Sequence, residues 1–405
     1  MAAETEVDVC IVGGGPAGLV LANLLSGRGL RTLVLEINPD FEREFRGEVL
    51  QPRFMRAMAQ AGLDDCIRSQ PHERFDQARF YHRGKVIGAF RFDRVDREHP
   101  YVMWMTQPVM LRALHERARG FPSFDLWFDA KAHGLLMENG RVAGLAVHRN
   151  GGEIEVRARL VVGADGRFST VRRLADLPTA YEHYPFDVMW FNIGRPAGAE
   201  NQISFHLSRD ASYLSLPKYP NLFQIGMLMT KGKLKQFRER GIDALRQEIR
   251  RAHPWFTGFA DGLASFSEFS VLQARLSYRS RWARDGLLLI GDAAHTCSPI
   301  GAIGVSVAVE TAIVAADVIL AVPREAAFTA EALSRVQALR ASDVLWIHRI
   351  QRLAGNNIAS GNPVVQAIRR VGIGFASATG LLPRMASRLL TRRAPLPIAA
   401  DFRAG

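Results

Sequence analysis

VDVCIVGGGPAG, residues 7–18, decides the architecture of this 405-residue chain. A near-continuous apolar strand runs straight into Gly13, Gly15 and Gly18, spaced G-x-G-x-x-G, and an apolar helical pattern, LVLANLL, follows. The first glycine permits a tight turn, the second lets backbone approach a phosphate closely, and the third lets helix and strand pack. The helix that opens at Pro16 and Ala17 offers unpaired N–H groups to an anion. A second apolar strand, residues 32–35, ends at Glu36, about 20 residues on, where dinucleotide folds place an acid for the ribose hydroxyls. Glycine packing alone would leave Glu36 without a reason, so the reading is a dinucleotide held with its pyrophosphate on this helix.

Two later stretches repeat the same plan of strand, acid and helix. Residues 285–312, DGLLLIGDAAHTCSPIGAIGVSVAVETA, begin with a short apolar strand. Gly291 and Asp292 follow it, and after Pro299, Gly301 and Gly304 comes an apolar helix from Val305 onwards. Asp292 is suited to a hydroxylated chain, and the helix start to an electron-rich group. In LVVGADGRFSTVRRL, residues 160–174, a strand again ends at Asp165 and Gly166.

Between these anchors the character changes. Residues 78–92 read as a hairpin turned at His-Arg-Gly-Lys, and Asn139-Gly140 and Asn150-Gly151 mark two more hairpins. Thr106 is placed to cap an amphipathic helix that starts at Gln107. Arg43, Arg46 and Arg53 lie in or near the start of another helix, each suited to a phosphate or to plain solvent. Residues 181–268 are strands rich in aromatics and Met, followed by two helical stretches, which predicts an inserted antiparallel sheet with helices on one side. Met189, Trp190, Phe205, Tyr213, Met227 and Met229 are the candidates for a pocket wall.

Composition bounds the class. Cys10, Cys66 and Cys297 are scattered and form no CxxC pair, which excludes a disulfide framework and a zinc site on sequence grounds. The N-terminus lacks a signal-peptide pattern, and no uninterrupted apolar run approaches the ~20 residues of a membrane span, so the expectation is a cytoplasmic protein. The net charge of +12 is uneven: from residue 340 on the only acids are Asp343 and Asp401. In that tail Val364, Ile368, Val371 and Phe375 recur at helical spacing, as do Leu382, Met385 and Leu389, with arginines between them. The tail is expected to pack its apolar faces on the body and to show a basic face to water; peripheral contact with anionic lipid is the second reading. No recognisable module supports nucleic acid binding.

GGGPAG with Glu36, GADGRFSTVRR and LLLIGDAAHTCSPIGAIG, in that order and at these separations, resemble the FAD-dependent aromatic hydroxylases typified by para-hydroxybenzoate hydroxylase. The resemblance covers residues 7 to about 320 and implies an α/β fold in three parts. A Rossmann-like FAD-binding domain takes residues 1–72, 101–178 and 269–325. An inserted antiparallel-sheet substrate domain takes 73–100 and 179–268, and a helical basic segment takes 326–405. It further implies that Gly13, Gly15, Pro16, Ala17 and Gly18 hold the FAD pyrophosphate, Glu36 the adenosine ribose, Arg46 and Gln107 the phosphate region, and Gly291 and Asp292 the ribityl chain. Asp165 and Gly166 belong to a motif tied to FAD and to NADH or NADPH, and Arg275 matches a position linked to the nicotinamide cofactor. Pro299, Gly301, Gly304, Val305 and Ser306 form the turn and helix start where flavin and substrate meet, with Ser306 in place of the family's usual Asn. His295 supports its loop, and Tyr213 is a candidate for substrate deprotonation.

The activity implied is hydroxylation of an aromatic or similarly electron-rich lipophilic molecule through a flavin C4a-hydroperoxide, with NAD(P)H and O2; a homodimer is the assembly considered. Residues 221–229, NLFQIGMLM, carry no arginine for a substrate carboxylate, which favours a lipophilic ring. Rival readings are a halogenase, for which the WxWxIP segment is missing, an isoprenoid reductase, and a flavin-binding accessory protein without turnover. A plain dehydrogenase leaves GDAAH unexplained.

Overall fold

The computed structural model describes residues 3–42, 48–177, 180–207, 212–392 and 394–403. Five parallel strands form its first sheet, in the spatial order Leu287–Leu289, Gly152–Gly163, Ala3–Val12, Thr32–Leu35 and Phe124–Trp127. Thr32–Leu35 and Leu287–Leu289 are buried at every residue, as strands covered on both faces must be. The helix Pro16–Ser26 connects the first two strands in sequence and packs on the apolar helix Gly304–Leu320. Lys131–Glu138 and Arg141–Arg149 extend the sheet as antiparallel strands. Their turns at Asn139-Gly140 and Asn150-Gly151 have positive φ at all four residues, the tight geometry that an Asn-Gly pair favours.

The second sheet has seven strands, ordered Ser270–Leu272, Phe186–Gly194, Leu222–Thr230, Tyr213–Lys218, Ile203–His206, Gln77–His82 and Lys85–Arg91. It is antiparallel, as the sequence suggests, except where Ile203–His206 runs parallel to Gln77–His82. The hairpin turn at Arg83-Gly84 has positive φ at both residues. Strand periodicity divides the sheet into two faces. Met189, Phe191, Ile225, Met227 and Met229 face the helices Lys233–Arg240 and Ile242–Ala252 and share a core with Phe237, Leu245 and Ile249. Phe186, Val188, Trp190 and Leu228 face the opposite way, toward the first sheet.

Three helices complete the chain: Ala330–Ala359, Pro363–Ala378 and Leu381–Leu390. The first packs on Gly304–Leu320, and the other two lie against the hairpin strand Lys85–Arg91. The tail departs from expectation at Pro363–Ala378. Its stripe Val364, Ile368, Val371 and Phe375 faces solvent, while the less apolar side, with Ile373 and Ser377, meets Gly88 and Ala89. The reason is steric: with no side chain, Gly88 leaves room for Ile373, and a Cβ there would lie 2.7 Å from Ile373 Cγ2 and 3.2 Å from Ser377 Cβ.

The most apolar helix lies at the centre of the fold. Ile300–Leu320 is by length and mean hydropathy a candidate to cross a membrane, although Glu310 and Asp317 interrupt it, and most of it is buried inside the fold. Glu310 sits at its middle with no exposure. Arg53, expected at a phosphate or in water, reaches it instead: Nε and Nη2 donate to the two carboxylate oxygens at 2.6 and 2.7 Å. Arg340 Nη2 donates to the same carboxylate at 2.6 Å. Asp343 joins both arginines and Arg392, closing a network among four segments. Burial pushes the Asp343 carboxyl up, but the three arginines outweigh that and hold it below its ordinary value. Removing one partner of such a group strands the others in low dielectric. Glu310→Gln should therefore lower the stability of the folded chain by about 3–5 kcal/mol, read as a fall in melting temperature.

Candidate active site

Four loops leave the carboxyl ends of parallel strands and meet in one cavity of about 900 Å³. In a sheet of this kind the loops at that edge are free to diverge and to receive a ligand. The first loop brings Gly13, Gly15, Pro16 and Ala17, the second Glu36, the third Asp165 and Gly166, and the fourth Gly291 and Asp292. Gly13 has φ +110° and a Cβ there would lie 2.5 Å from the Ala164 carbonyl oxygen. Gly18 does not line the cavity; a Cβ on it would lie 2.0 Å from the Gly13 oxygen, so its role is helix packing beneath the loop.

Glu36 is buried, and its carboxylate accepts from the Gly14 N–H at 2.9 Å and from the Asn38 amide at 2.6 Å. These bonds fix the acid at the cavity wall before any ligand binds. One oxygen of Asp165 accepts from the N–H groups of Thr170 and Val171 at 2.6 and 3.0 Å, capping the short helix Thr170–Leu174. Burial raises its pKa against those bonds, and the other oxygen is buried without a protein partner. Asp292 accepts from Arg167 Nε at 3.2 Å, which holds the carboxylate while leaving it partly exposed. Arg167 escaped the sequence reading, although it stands inside the GADGRF motif.

The turn before the apolar helix is held from two sides. Gln51 Nε2 donates to the Gly301 oxygen at 2.9 Å. Gln351, on the long C-terminal helix, donates from Nε2 to the oxygens of Ser298 and Ile300 at 3.0 and 2.8 Å and accepts from the Ser298 N–H. Neither glutamine carried a sequence signal, because their partners lie about 250 and 50 residues away. Pro299, Gly301, Gly304 and Val305 line the cavity, and the first amides of the helix have no partner within it. Ser306 is also buried, with its hydroxyl unpaired, but it does not line the cavity. His295 Nε2 lies 2.9 Å from Thr311 Oγ1, and that hydroxyl itself donates to the Val307 oxygen, so the imidazole donates through Nε2. Burial drives its pKa well below the ordinary value, and the neutral ring ties the loop to the helix.

The remaining wall is apolar. Phe80, Phe90, Phe205, Trp190 and Leu228 from the second sheet face Leu382, Met385 and Leu389 from the last helix. Of the expected pocket residues, Trp190, Phe205 and Tyr213 line the cavity, whereas Met189, Met227 and Met229 point to the helices behind the sheet. Trp190 lies over Gly226, where a Cβ would come within 2.7 Å of its ring. Tyr213 stacks on His206 and meets Phe256 edge-on, and burial raises its hydroxyl pKa, which is opposed to a role as base.

One acid does reach this half. Glu48 is buried and lines the cavity, and Gln224 Nε2 donates to its carboxylate at 2.9 Å. Trp104 Nε1 donates in turn to Gln224 Oε1 at 3.3 Å. Burial raises the Glu48 pKa, with Gln224 and Lys218 working against the rise. Gln224 lies on the strand where an arginine is missing, and Glu48 reaches it from just before the short strand Val49–Leu50, a pairing that leaves no local trace in sequence.

Arg275 does not line the cavity. Its guanidinium lies 5.7 and 5.1 Å from the rings of Phe168 and Tyr181. Gln107 is buried and lines the cavity, but Thr106 makes no capping bond through its side chain. Arg43 and Arg46 lie outside the described residues.

The donor set suits FAD. Glycines give the close approach a pyrophosphate needs, Glu36 and Asp292 are acceptors suited to ribose and ribityl hydroxyls, and the helix start is suited to an electron-rich ring edge. The cavity continues past that point into an apolar space, as a cofactor and a second molecule together require.

A family described as FAD binding domain matches residues 6–337. The chain is 32% identical over 399 residues to 6-methylpretetramide 4-monooxygenase of Streptomyces rimosus, covering 98% of this chain and 95% of that one. It is 27% identical over 317 residues to rifampicin monooxygenase of Streptomyces venezuelae, covering 75% and 62%. Among solved structures, p-nitrophenol 4-monooxygenase PnpA of Pseudomonas putida superposes with a TM-score of 0.81 at 21% identity, over 97% of this chain and all of that one. PqsL of Pseudomonas aeruginosa in complex with 2-aminobenzoylacetate gives 0.77 at 22%, over 92% of this chain and all of that one. At those identities the two structures speak for the fold.

Gly13→Ala should give a folded protein that purifies without bound flavin, seen as loss of the visible absorbance with an unchanged far-ultraviolet circular dichroism spectrum. An intact flavin spectrum would show that the loop does not carry the pyrophosphate.

Proposed function

The chain belongs to the FAD-dependent aromatic hydroxylases, and from that premise we propose that it hydroxylates a neutral, phenolic, multi-ring aromatic molecule, using O2 and NADH or NADPH. The observation that carries the substrate class is the Glu48–Gln224 pair in an otherwise apolar wall. A carboxylate there repels a carboxylated substrate and welcomes a ring hydroxyl. The relative from Streptomyces rimosus, named for 6-methylpretetramide, supports a multi-ring substrate.

When bound, FAD supplies the electron transfer and oxygen activation. The protein contributes placement, dryness and charge. Gly13 to Ala17, Glu36 and Asp292 would hold the cofactor along the cavity floor. The amides at Gly304 and Val305, where a helix dipole begins, would stabilise negative charge at its ring edge. Phe80, Phe205, Trp190 and Leu228 exclude water from the reacting face. Glu48 would take the proton from the substrate hydroxyl through the oxygen not occupied by Gln224, raising the electron density of the ring. Gln224, steadied by Trp104, keeps that carboxylate turned toward the cavity. For partners beyond substrate and O2, contact of the basic tail with a membrane is favoured over pairing with a second copy.

Protein carrying FAD should oxidise NADH or NADPH faster when a multi-ring phenol is added, and mass spectrometry should find a product one oxygen atom heavier. Oxidation unchanged by multi-ring phenols but accelerated by 4-hydroxybenzoate would overturn the substrate class, and a yellow protein inert to both reductants would favour an accessory role. Because burial raises the Glu48 pKa, the ionised base appears only as pH climbs above the usual carboxylate range, and turnover should rise with it. Glu48→Gln should abolish that acid limb and lower kcat about 100-fold with little change in KM. An unaltered pH profile would remove Glu48 from the reaction.

A further inference from the structure

Four large apolar side chains on one helix are bare. Val364, Ile368, Val371 and Phe375 fall at i, i+4, i+7 and i+11 of Pro363–Ala378, and each is 63% to 65% exposed. A stripe of this kind on a folded protein marks a surface that is covered in use. At 16 residues the helix is too short to span a bilayer, and its opposite side is fixed to the body through Ser377, whose hydroxyl bonds both the N–H and the oxygen of Ala89. It is built to lie along an interface.

The charge around the stripe selects the occupant. Residues 344–392 contain no Asp or Glu and seven arginines. Arg352 is paired with Glu182, Arg392 with Asp343, and Arg369 bonds the oxygens of Asn357 and Ile358. Arg370, Arg384 and Arg388 pair with no carboxylate among the described residues. Arg384 and Arg388 open instead on a cleft between the long helix and the last one, beside Ser342, Trp346 and Thr391. Two copies meeting through this face would bring unpaired arginines together, since the acid at the cleft, Asp343, is already held by Arg53, Arg340 and Arg392. A layer of anionic headgroups answers them directly, and the apolar stripe enters the acyl boundary beneath. Trp346, partly exposed at the cleft, is the residue type favoured at that depth.

The same face adjoins the cavity. Met385 lines it and yet is 61% exposed, one residue from Arg384, so the last helix is at once the rim of the cavity and part of the basic surface.

We propose that the outer face of Pro363–Ala378 and Leu381–Leu390 docks this protein on anionic phospholipid bilayers, with the rim of its substrate cavity turned to the lipid. The proposal does not depend on the hydroxylase reading. It makes the enzyme peripheral to a membrane and suits a substrate that partitions into lipid.

The test uses the FAD-loaded protein and sedimentation with vesicles. Vesicles of phosphatidylcholine with phosphatidylglycerol should carry the protein down, vesicles of phosphatidylcholine alone should not, and about 0.5 M salt should weaken the binding. A variant with Ile368→Glu, Val371→Glu and Phe375→Glu should retain its flavin and melting temperature and bind the anionic vesicles at least about tenfold less. Arg384→Glu with Arg388→Glu should lose a comparable share of the binding while the apolar stripe is intact. Wild-type protein that ignores the anionic vesicles, or a triple variant that binds them undiminished, would overturn the proposal. So would light scattering that shows a wild-type dimer, converted by the triple variant to monomers, with no vesicle binding in either.

Discussion

A carboxylate with no exposure, Glu310, sits in the middle of the most apolar helix of the chain and is held by Arg53 and Arg340. Rotating or sliding Gly304–Leu320 would leave three buried charges unanswered, so the network fixes the register of this helix more strictly than apolar packing alone. The helix start, at Gly304 and Val305, is thereby aimed at the cavity, and the turn from Pro299 to Gly301 is placed within reach of Gln51 and Gln351. Asp343 and Arg392 extend the same network into the C-terminal segment. That segment is accordingly part of the site's foundation, not an appendage.

The cavity has two halves built by different physics. Toward the first sheet, backbone geometry dominates: Gly13 without room for a Cβ, uncapped helix starts at Pro16 and Gly304, and Glu36 and Asp165 set in place by backbone N–H groups. Toward the second sheet, side-chain volume dominates, and one face of alternating strands gives a wall of rings broken by Glu48 and Gln224. The first half is fixed by its backbone. The second is free to vary, because exchanging one ring for another changes the shape of the cavity without touching the sheet's hydrogen bonds. That wall and the last helix, with Leu382, Met385 and Leu389, therefore set the shape of the cavity.

The C-terminal segment shows how an apolar pattern can be correct and still be placed on the wrong side. Val364, Ile368, Val371 and Phe375 form a helical stripe, as their spacing says. Periodicity identifies a face but not the medium it meets. Here the body takes the side with Ile373 and Ser377, because the strand it lies on presents Gly88, whose missing side chain makes room for them.

The sequence by itself determined the strand, acid and helix units at Gly13 to Glu36, Asp165 and Asp292, and with them the cofactor half of the site. It could do so because each unit is local: a turn that tolerates only glycine and an acid a fixed number of residues away leave a trace within about 30 residues. Tertiary structure alone decided that Arg53 belongs to Glu310, that Gln351 holds the turn at Pro299, that Glu48 meets Gln224, and which methionines turn away from the cavity. Those partners are separated by about 50 to 260 residues, and a lone Arg, Gln or Glu looks the same in sequence whether it ends in solvent or in the core. The burial that gives each of them its role is created only when the two sheets and the C-terminal helices close on one another.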